Sequence, residues 1–248
     1  MRDESRRRAE AFRRRSQRAG IFLDFDGSLS AIVARPELAG PVAGAREALV
    51  GLVARYPIVA IVSGRSADEL ARLLHVDGVT YEGLYGMEEA ATDITLALLP
   101  SVERAAALVP EAWVEDKHIS VAVHYRAAPD PSAALASLVS ALAPIAASAG
   151  LELMEGKMVL ELVPADRPMK GGAVERLARE RGLDAVLFAG DDVADIDAFE
   201  ALDWLSEEDL LTLRVAVRGP GTPEELVRRA DIAVDGPEGL VELLRILG

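Results

Sequence analysis

The 248-residue chain contains no cysteine, which excludes disulfides, thiolate nucleophiles and cysteine-ligated zinc or iron–sulfur centres. Positive charge is scarce too. Against 41 aspartates and glutamates stand 27 lysines and arginines, a formal −14. That balance repels nucleic acid and anionic membrane surfaces, so neither is expected as a partner, and a phosphorylated substrate would need a local cation. Histidine occurs three times, and His75 and His118 lack companions at metal-ligand spacing. No transmembrane span is expected, for want of an uncharged apolar run of the ~18 residues it requires. Internal repeats and low-complexity tracts are missing as well. Residues 1–20 hold eight arginines against three acidic residues, a net +5 that leaves −19 on the remainder. They lack the apolar centre of a secretory signal. Their composition predicts a solvated helix leading into the first strand, and a cytoplasmic location is expected.

What is present is an ordinary globular composition, 50% hydrophobic and 27% charged. From residue 21 short apolar runs stop abruptly at polar residues. Ile21-Phe22-Leu23 ends in Asp24, Ile58 to Val62 ends in Ser63, and Ala185 to Ala189 ends in Gly190-Asp191. Helical periodicity at 44–55, 66–75 and 171–181 lies between or beside them. This alternation predicts an α/β fold, a doubly wound parallel sheet whose polar residues gather at its carboxyl edge. Residues 101–164 differ. Strand-like Trp113-Val114-Glu115 and 119–123 precede an Ala-rich helix near 131–148. A hairpin of 151–154 and 158–162 follows, turning around Glu155-Gly156-Lys157. The expected organisation is therefore a discontinuous core, 1–100 and 165–248, with an α+β cap inserted at 101–164. Trp113 and Trp204 are expected in the core or a cap interface, and Gly219-Pro220-Gly221 reads as a turn.

Asp24 and Asp26 directly follow a buried run, where two carboxylates one residue apart are costly without a cation. The same tension recurs at Asp191-Asp192, with Asp195 a turn later. A divalent metal is the simplest compensation. Ser63 before a helix could donate to an anion, and Lys170 at a helix start is a natural counter-charge in so acidic a chain.

These segments, Asp24-Phe25-Asp26-Gly27-Ser28, Ser63, Lys170 and Gly190-Asp191-Asp192, stand in the order of the four motifs of the haloacid dehalogenase phosphohydrolases, which the chain resembles. The resemblance implies Asp24 as the nucleophile on phosphorus, Asp26 as general acid and then base, and Ser63 and Lys170 on the phosphoryl group. It implies Mg²⁺ held by Asp24, the Asp26 carbonyl and Asp191, with Asp192 and Asp195 further out and Asp197 structural. Asp24 would carry the phosphoryl group between two easier steps.

Within the insertion, Glu115-Asp116-Lys117, His124-Tyr125-Arg126 and Glu155-Gly156-Lys157, with the run Gly190 to Phe199, resemble trehalose-6-phosphate phosphatases. Substrate-binding residues implied are Glu115, Lys117, Arg126, Glu155 and Lys157. Charged groups suit a disaccharide, which presents hydroxyls and no apolar handle. Such residues on a lid would penalise the wrong sugar. The chain departs from the family pattern at Ser28, Ala194 and Tyr85, where Thr, Thr and His are commoner. The expected partner is a small sugar phosphate and the expected state a monomer. Rival substrates are sucrose phosphate, glycosylglycerate phosphate and a phosphosugar mutase's ligand. A phospho-accepting receiver is the non-enzymatic rival, but receivers carry the adjacent acidic pair first and the chain carries it last.

Overall fold

The computed structural model describes residues 3–33, 35–84, 94–117, 120–164 and 169–248. The strands in chain order are β1 (Ala19–Leu23), β2 (Ile58–Val62), β3 (Thr80–Glu82), β4 (Trp113–Asp116), β5 (Val121–His124), β6 (Leu151–Gly156), β7 (Val159–Pro164), β8 (Ala185–Gly190), β9 (Leu211–Arg218) and β10 (Ile232–Asp235). The helices are α1 (Asp3–Arg13), α2 (Ala45–Val53), α3 (Ala67–Leu74), α4 (Ile94–Ala106), α5 (Pro131–Ala149), α6 (Lys170–Glu180), α7 (Ala194–Glu207), α8 (Glu224–Arg229) and α9 (Gly236–Leu247). They sort into two compact units, residues 1–86 with 168–248, and residues 87–167.

In the first unit the strand order is β10-β9-β8-β1-β2-β3, with every neighbouring pair parallel. β1, β2 and β8 are buried at every position, because helices cover both faces. Ile21, Leu23, Ile61 and Leu187 pack against Leu49, Leu70 and Leu244 on one side. Phe22, Val62 and Phe188 meet Leu177, Phe199 and Leu202 on the other. This is why the strands read as unbroken apolar runs. The chain winds from β1 to β2 and β3 in one direction and from β8 to β9 and β10 in the other. The reversal lies between β1 and β8, and there an open sheet leaves a crevice at its carboxyl ends.

The arginine-rich segment is indeed helical, but its helix is not wholly solvated. Ala9 and Phe12 of α1 are buried, and Phe12 stacks on Tyr56 with ring centroids 6.2 Å apart. Trp204 departs from expectation in the other direction. It lies on the outer side of α7 and is 54% exposed.

The second unit carries an antiparallel sheet, β4-β5-β7-β6. One face, with Val121, Val123, Leu160 and Leu162, packs on Val102 of α4 and Leu138 and Leu142 of α5. The expected boundary at 100/101 falls inside α4, whose Val102, Ala105 and Ala106 belong to this unit's core. α5 also corrects the expectation about apolar runs: it is long and apolar enough to cross a membrane by length and composition, with mean hydropathy 1.6. Its serines and Pro144 had disguised that. Ala134, Leu138, Leu142 and Ala146 join it to the unit's core.

The hairpin turns at Lys157-Met158 instead of at 155–157, with Met158 in the left-handed region at φ 58°. β6 therefore runs on through Glu155 and Gly156, and Glu155 pairs with Leu160. Because strand neighbours alternate faces, Glu155 falls on the same side of the sheet as Leu160 and Leu162.

Candidate active site

The first unit's polar residues converge where the chain reverses. Asp24 leaves β1 with its N–H donating to the Ala189 carbonyl of β8 at 2.9 Å, which fixes its backbone beside Asp191. Between them stands Gly27, with φ 89°. A Cβ there would lie 2.1 Å from Asp191 Oδ2, so only glycine supports both the turn and the approach. Ser28, fully buried, donates from Oγ to Asp191 Oδ1 at 3.4 Å.

Lys170, the first residue of α6, is 4% exposed. Its Nζ donates at 2.6 Å to Asp24 Oδ1 and at 2.6 Å to Asp195 Oδ1. Burial works against the ammonium charge, but Asp195 and Asp24 outweigh it and hold its proton affinity above the ordinary lysine value. Asp195, with no exposed surface, accepts through Oδ2 the N–H groups of Asp191 and Asp192 at 2.7 and 2.8 Å. Both of its oxygens are thus engaged in bracing neighbours. For Asp24, burial is the largest effect and, with the charges of Asp195 and Asp26, pushes the carboxyl up to about 7 despite Lys170.

Carboxylate oxygens of Asp24, Asp191 and Asp195 lie within 4.8 Å of one another. Three buried carboxylates against one ammonium leave a formal excess of two negative charges, and every donor is a hard oxygen. That chemistry fits a divalent cation such as Mg²⁺. The Asp26 carboxylate does not join them. It turns to Arg65, whose Nε and Nη2 donate to its two oxygens at 2.6 and 2.9 Å.

Ser63 follows β2 and is buried; its Oγ accepts the Arg65 N–H at 3.3 Å. Ser66, not Ser63, caps α3, accepting the Glu69 N–H. Asp192 is half-buried and accepts the Val193 N–H at 2.7 Å. Tyr85 lies outside the described residues, as does His118.

The second unit gathers its own polar cluster on the sheet face away from the helices. Lys117 Nζ donates to Glu161 Oε2 at 3.1 Å, and Ser120 donates to the other oxygen of Glu161 at 2.5 Å. His124 Nε2 is 2.6 Å from Glu115 Oε2 and its Nδ1 is 3.2 Å from Arg126 Nη2. Trp113 stacks on His124 with centroids 4.6 Å apart. Of the five expected sugar-binding residues, Glu115, Lys117 and Arg126 come together here. Glu155 falls on the opposite face, and Lys157 occupies the turn.

Sequence reasoning passed over Arg65, Glu69 and Glu161. Glu161 is 3% exposed between Leu160 and Leu162, and a charged residue within an apolar strand was the available signal.

Paired aspartates at the switch point of a parallel sheet, with an inserted antiparallel unit, define the haloacid dehalogenase-like fold. The C-terminal domain of a C. albicans trehalose-6-phosphate phosphatase superposes with a TM-score of 0.83 at 23% identity, over 98% of this chain and 96% of that one. A haloacid dehalogenase-like hydrolase from Bacteroides thetaiotaomicron reaches 0.65 at 16% identity, over 92% and 98%. The chain belongs to the trehalose-phosphatase family, whose model matches residues 22–223. A trehalose-phosphate phosphatase of Mycobacterium marinum is 37% identical over 205 residues, covering 75% of this chain and 52% of that protein. An uncharacterized glycosyl hydrolase of Mycobacterium tuberculosis is 38% identical over 207 residues, covering 75% of this chain and 15% of its own length. The chain therefore spans about half the length of the first of these and far less of the second.

Proposed function

We propose that the protein is a metal-dependent phosphatase that hydrolyses trehalose 6-phosphate to trehalose and inorganic phosphate. The observation that carries this reading is the buried bridge from Asp24 Oδ1 through Lys170 Nζ to Asp195 Oδ1, set beside Asp191 at the sheet's reversal. Family membership supports the phosphatase chemistry, and the mycobacterial relative's being a trehalose-phosphate phosphatase supports the sugar.

The Asp24 carboxylate attacks phosphorus as the bond from phosphorus to the sugar oxygen breaks. Asp26 gives that oxygen its proton, which an alkoxide leaving group needs. Water then returns a proton to Asp26 while its oxygen attaches to phosphorus, and the bond to Asp24 breaks. One difficult displacement becomes two easier ones. Lys170 keeps Asp24 oriented and faces the phosphoryl charge, and the Ser63 hydroxyl donates to a phosphoryl oxygen. Asp24, Asp191 and the Asp26 carbonyl would hold Mg²⁺, which when bound neutralises charge shared by nucleophile and phosphoryl group. Selection of the sugar is assigned to the polar face of the second unit, through Glu115, Lys117 and Arg126, with Glu161 now added.

The test is phosphate release from trehalose 6-phosphate, sucrose 6-phosphate, glucose 6-phosphate and an aryl phosphate, with Mg²⁺ and after exhaustive chelation. Trehalose 6-phosphate should be preferred, chelation should abolish turnover, and Asp24→Asn should lower it by orders of magnitude while the fold survives. Equal rates on glucose 6-phosphate would remove the trehalose assignment alone. Full activity of the Asp24→Asn variant would remove the mechanism.

A further inference from the structure

We propose that Arg65 is a positioning residue for Asp26, a fork that holds the acid–base carboxylate in the one orientation from which it serves the leaving oxygen. The inference rests on the assignment of Asp26 above.

Asp26 has 36% of its side chain exposed, enough freedom for a short carboxylate to sample several rotamers. Arg65 removes that freedom. Its Nε–H and Nη2–H donate to Oδ2 and Oδ1 of Asp26 at 2.6 and 2.9 Å, the bidentate geometry that fixes the carboxylate plane as well as its position. Each carboxylate oxygen has a second lone pair, so the grip leaves room for the transferred proton.

The fork is itself immobilised. Nη2 also donates to the Pro36 carbonyl at 3.1 Å, and Nη1 pairs with Glu69 one turn along α3. The guanidinium lies over the ring of Phe25, 5.5 Å from its centroid, and Phe25 is fully buried between Asp24 and Asp26 in the chain. The main chain is pinned as well, since the Arg65 carbonyl accepts the Leu84 N–H at 2.9 Å. Leu84 holds the left-handed region at φ 51° to do so, an unfavourable conformation for a branched residue that is itself buried. Nothing in the phosphoryl-binding cluster requires these contacts. What they share is the orientation of one carboxylate.

A purely stabilising ion pair and a positioning fork differ in one observable. The fork matters only when the leaving group needs a proton, and kcat/KM reports the steps up to leaving-group departure. The experiment compares kcat/KM for trehalose 6-phosphate and p-nitrophenyl phosphate at saturating Mg²⁺, with thermal unfolding of each variant. Arg65→Gln should lower the sugar-phosphate value by ~10²-fold, the scale of general acid catalysis, and the aryl value by no more than about threefold. Arg65→Lys, which keeps the charge but cannot fork, should fall between. Glu69→Gln loosens the brace from its partly exposed side, and should shift the ratio the same way if Arg65→Gln does not fold. In an Asp26→Asn background, Arg65→Gln should leave the ratio unchanged. Equal losses on both substrates, or a further ratio change in that background, would overturn the proposal while Asp26 keeps its role. An unaltered ratio in Asp26→Asn alone would overturn both.

Discussion

At the scale of single residues, Asp197 lies outside the acidic cluster but holds the helix start that carries Lys170. α6 begins at Lys170 behind Met169, which supplies no side-chain cap. Asp197 Oδ2 instead accepts the Gly171 N–H at 2.6 Å, so α7 caps α6 from outside. A Cβ on Gly171 would lie 2.6 Å from the Asp197 carbonyl oxygen, so the residue must be glycine for the helices to meet. Asp197→Ala should cost about 0.5–2 kcal/mol of stability, the usual range for a lost cap. It should also lower kcat roughly tenfold with KM little changed, because misplacing a reacting group is felt in the chemical step. Asp197→Asn keeps an acceptor oxygen and should retain most of both. Denaturant unfolding and steady-state kinetics on the two variants check this; equal damage from Asn and Ala would show that charge, not capping, matters.

Among elements, α1, α9 and the end of α2 lock together around Tyr56, whose hydroxyl donates to the Leu247 carbonyl at 3.2 Å. Burial pushes that phenol up to about 12, against neighbouring Arg55 and Arg13. The native state thus keeps a proton that the unfolded chain releases near pH 10, so this contribution is full below pH 10 and is lost as pH rises toward 12. Tyr56→Phe should be less stable than the native chain by about 1 kcal/mol at pH 9. The gap should close or invert by about pH 11.5, whereas parallel urea stabilities across that range would contradict it. β1, β2 and β8 were legible because each is buried at every position, and so were the polar residues that follow them. α1 was misjudged because Ala9 and Phe12 are too few to register among the eight arginines of residues 1–20. β3 escaped notice because its three residues are only half-buried. Glu155 was misplaced because a two-residue turn shifted the hairpin, and register is invisible in one strand's composition. Arg65 went unread because its partner Asp26 lies 39 residues away, beyond the reach of any local pattern.

For the whole molecule, a chain of net charge −14 keeps a buried ammonium, Lys170, beside the carboxylates where the sheet reverses, which is what the proposed anionic substrate would need. Lys170 pairs with Asp24, the proposed nucleophile, and Arg65 with Asp26, the proposed acid–base group. The sheet supplies the geometry, since a discontinuous unit brings residue 24 and residue 191 to adjacent strand ends. The central claim is that Asp24 carries the phosphoryl group during turnover. It is tested most directly in the Asp26→Asn variant given an aryl phosphate, whose leaving group needs no proton while the later attack of water still needs a base. Rapid quenching and peptide mass spectrometry should find one phosphoryl group, accumulating on Asp24. A variant that turns over without any covalent phosphate, or that carries it on another residue, would contradict the account.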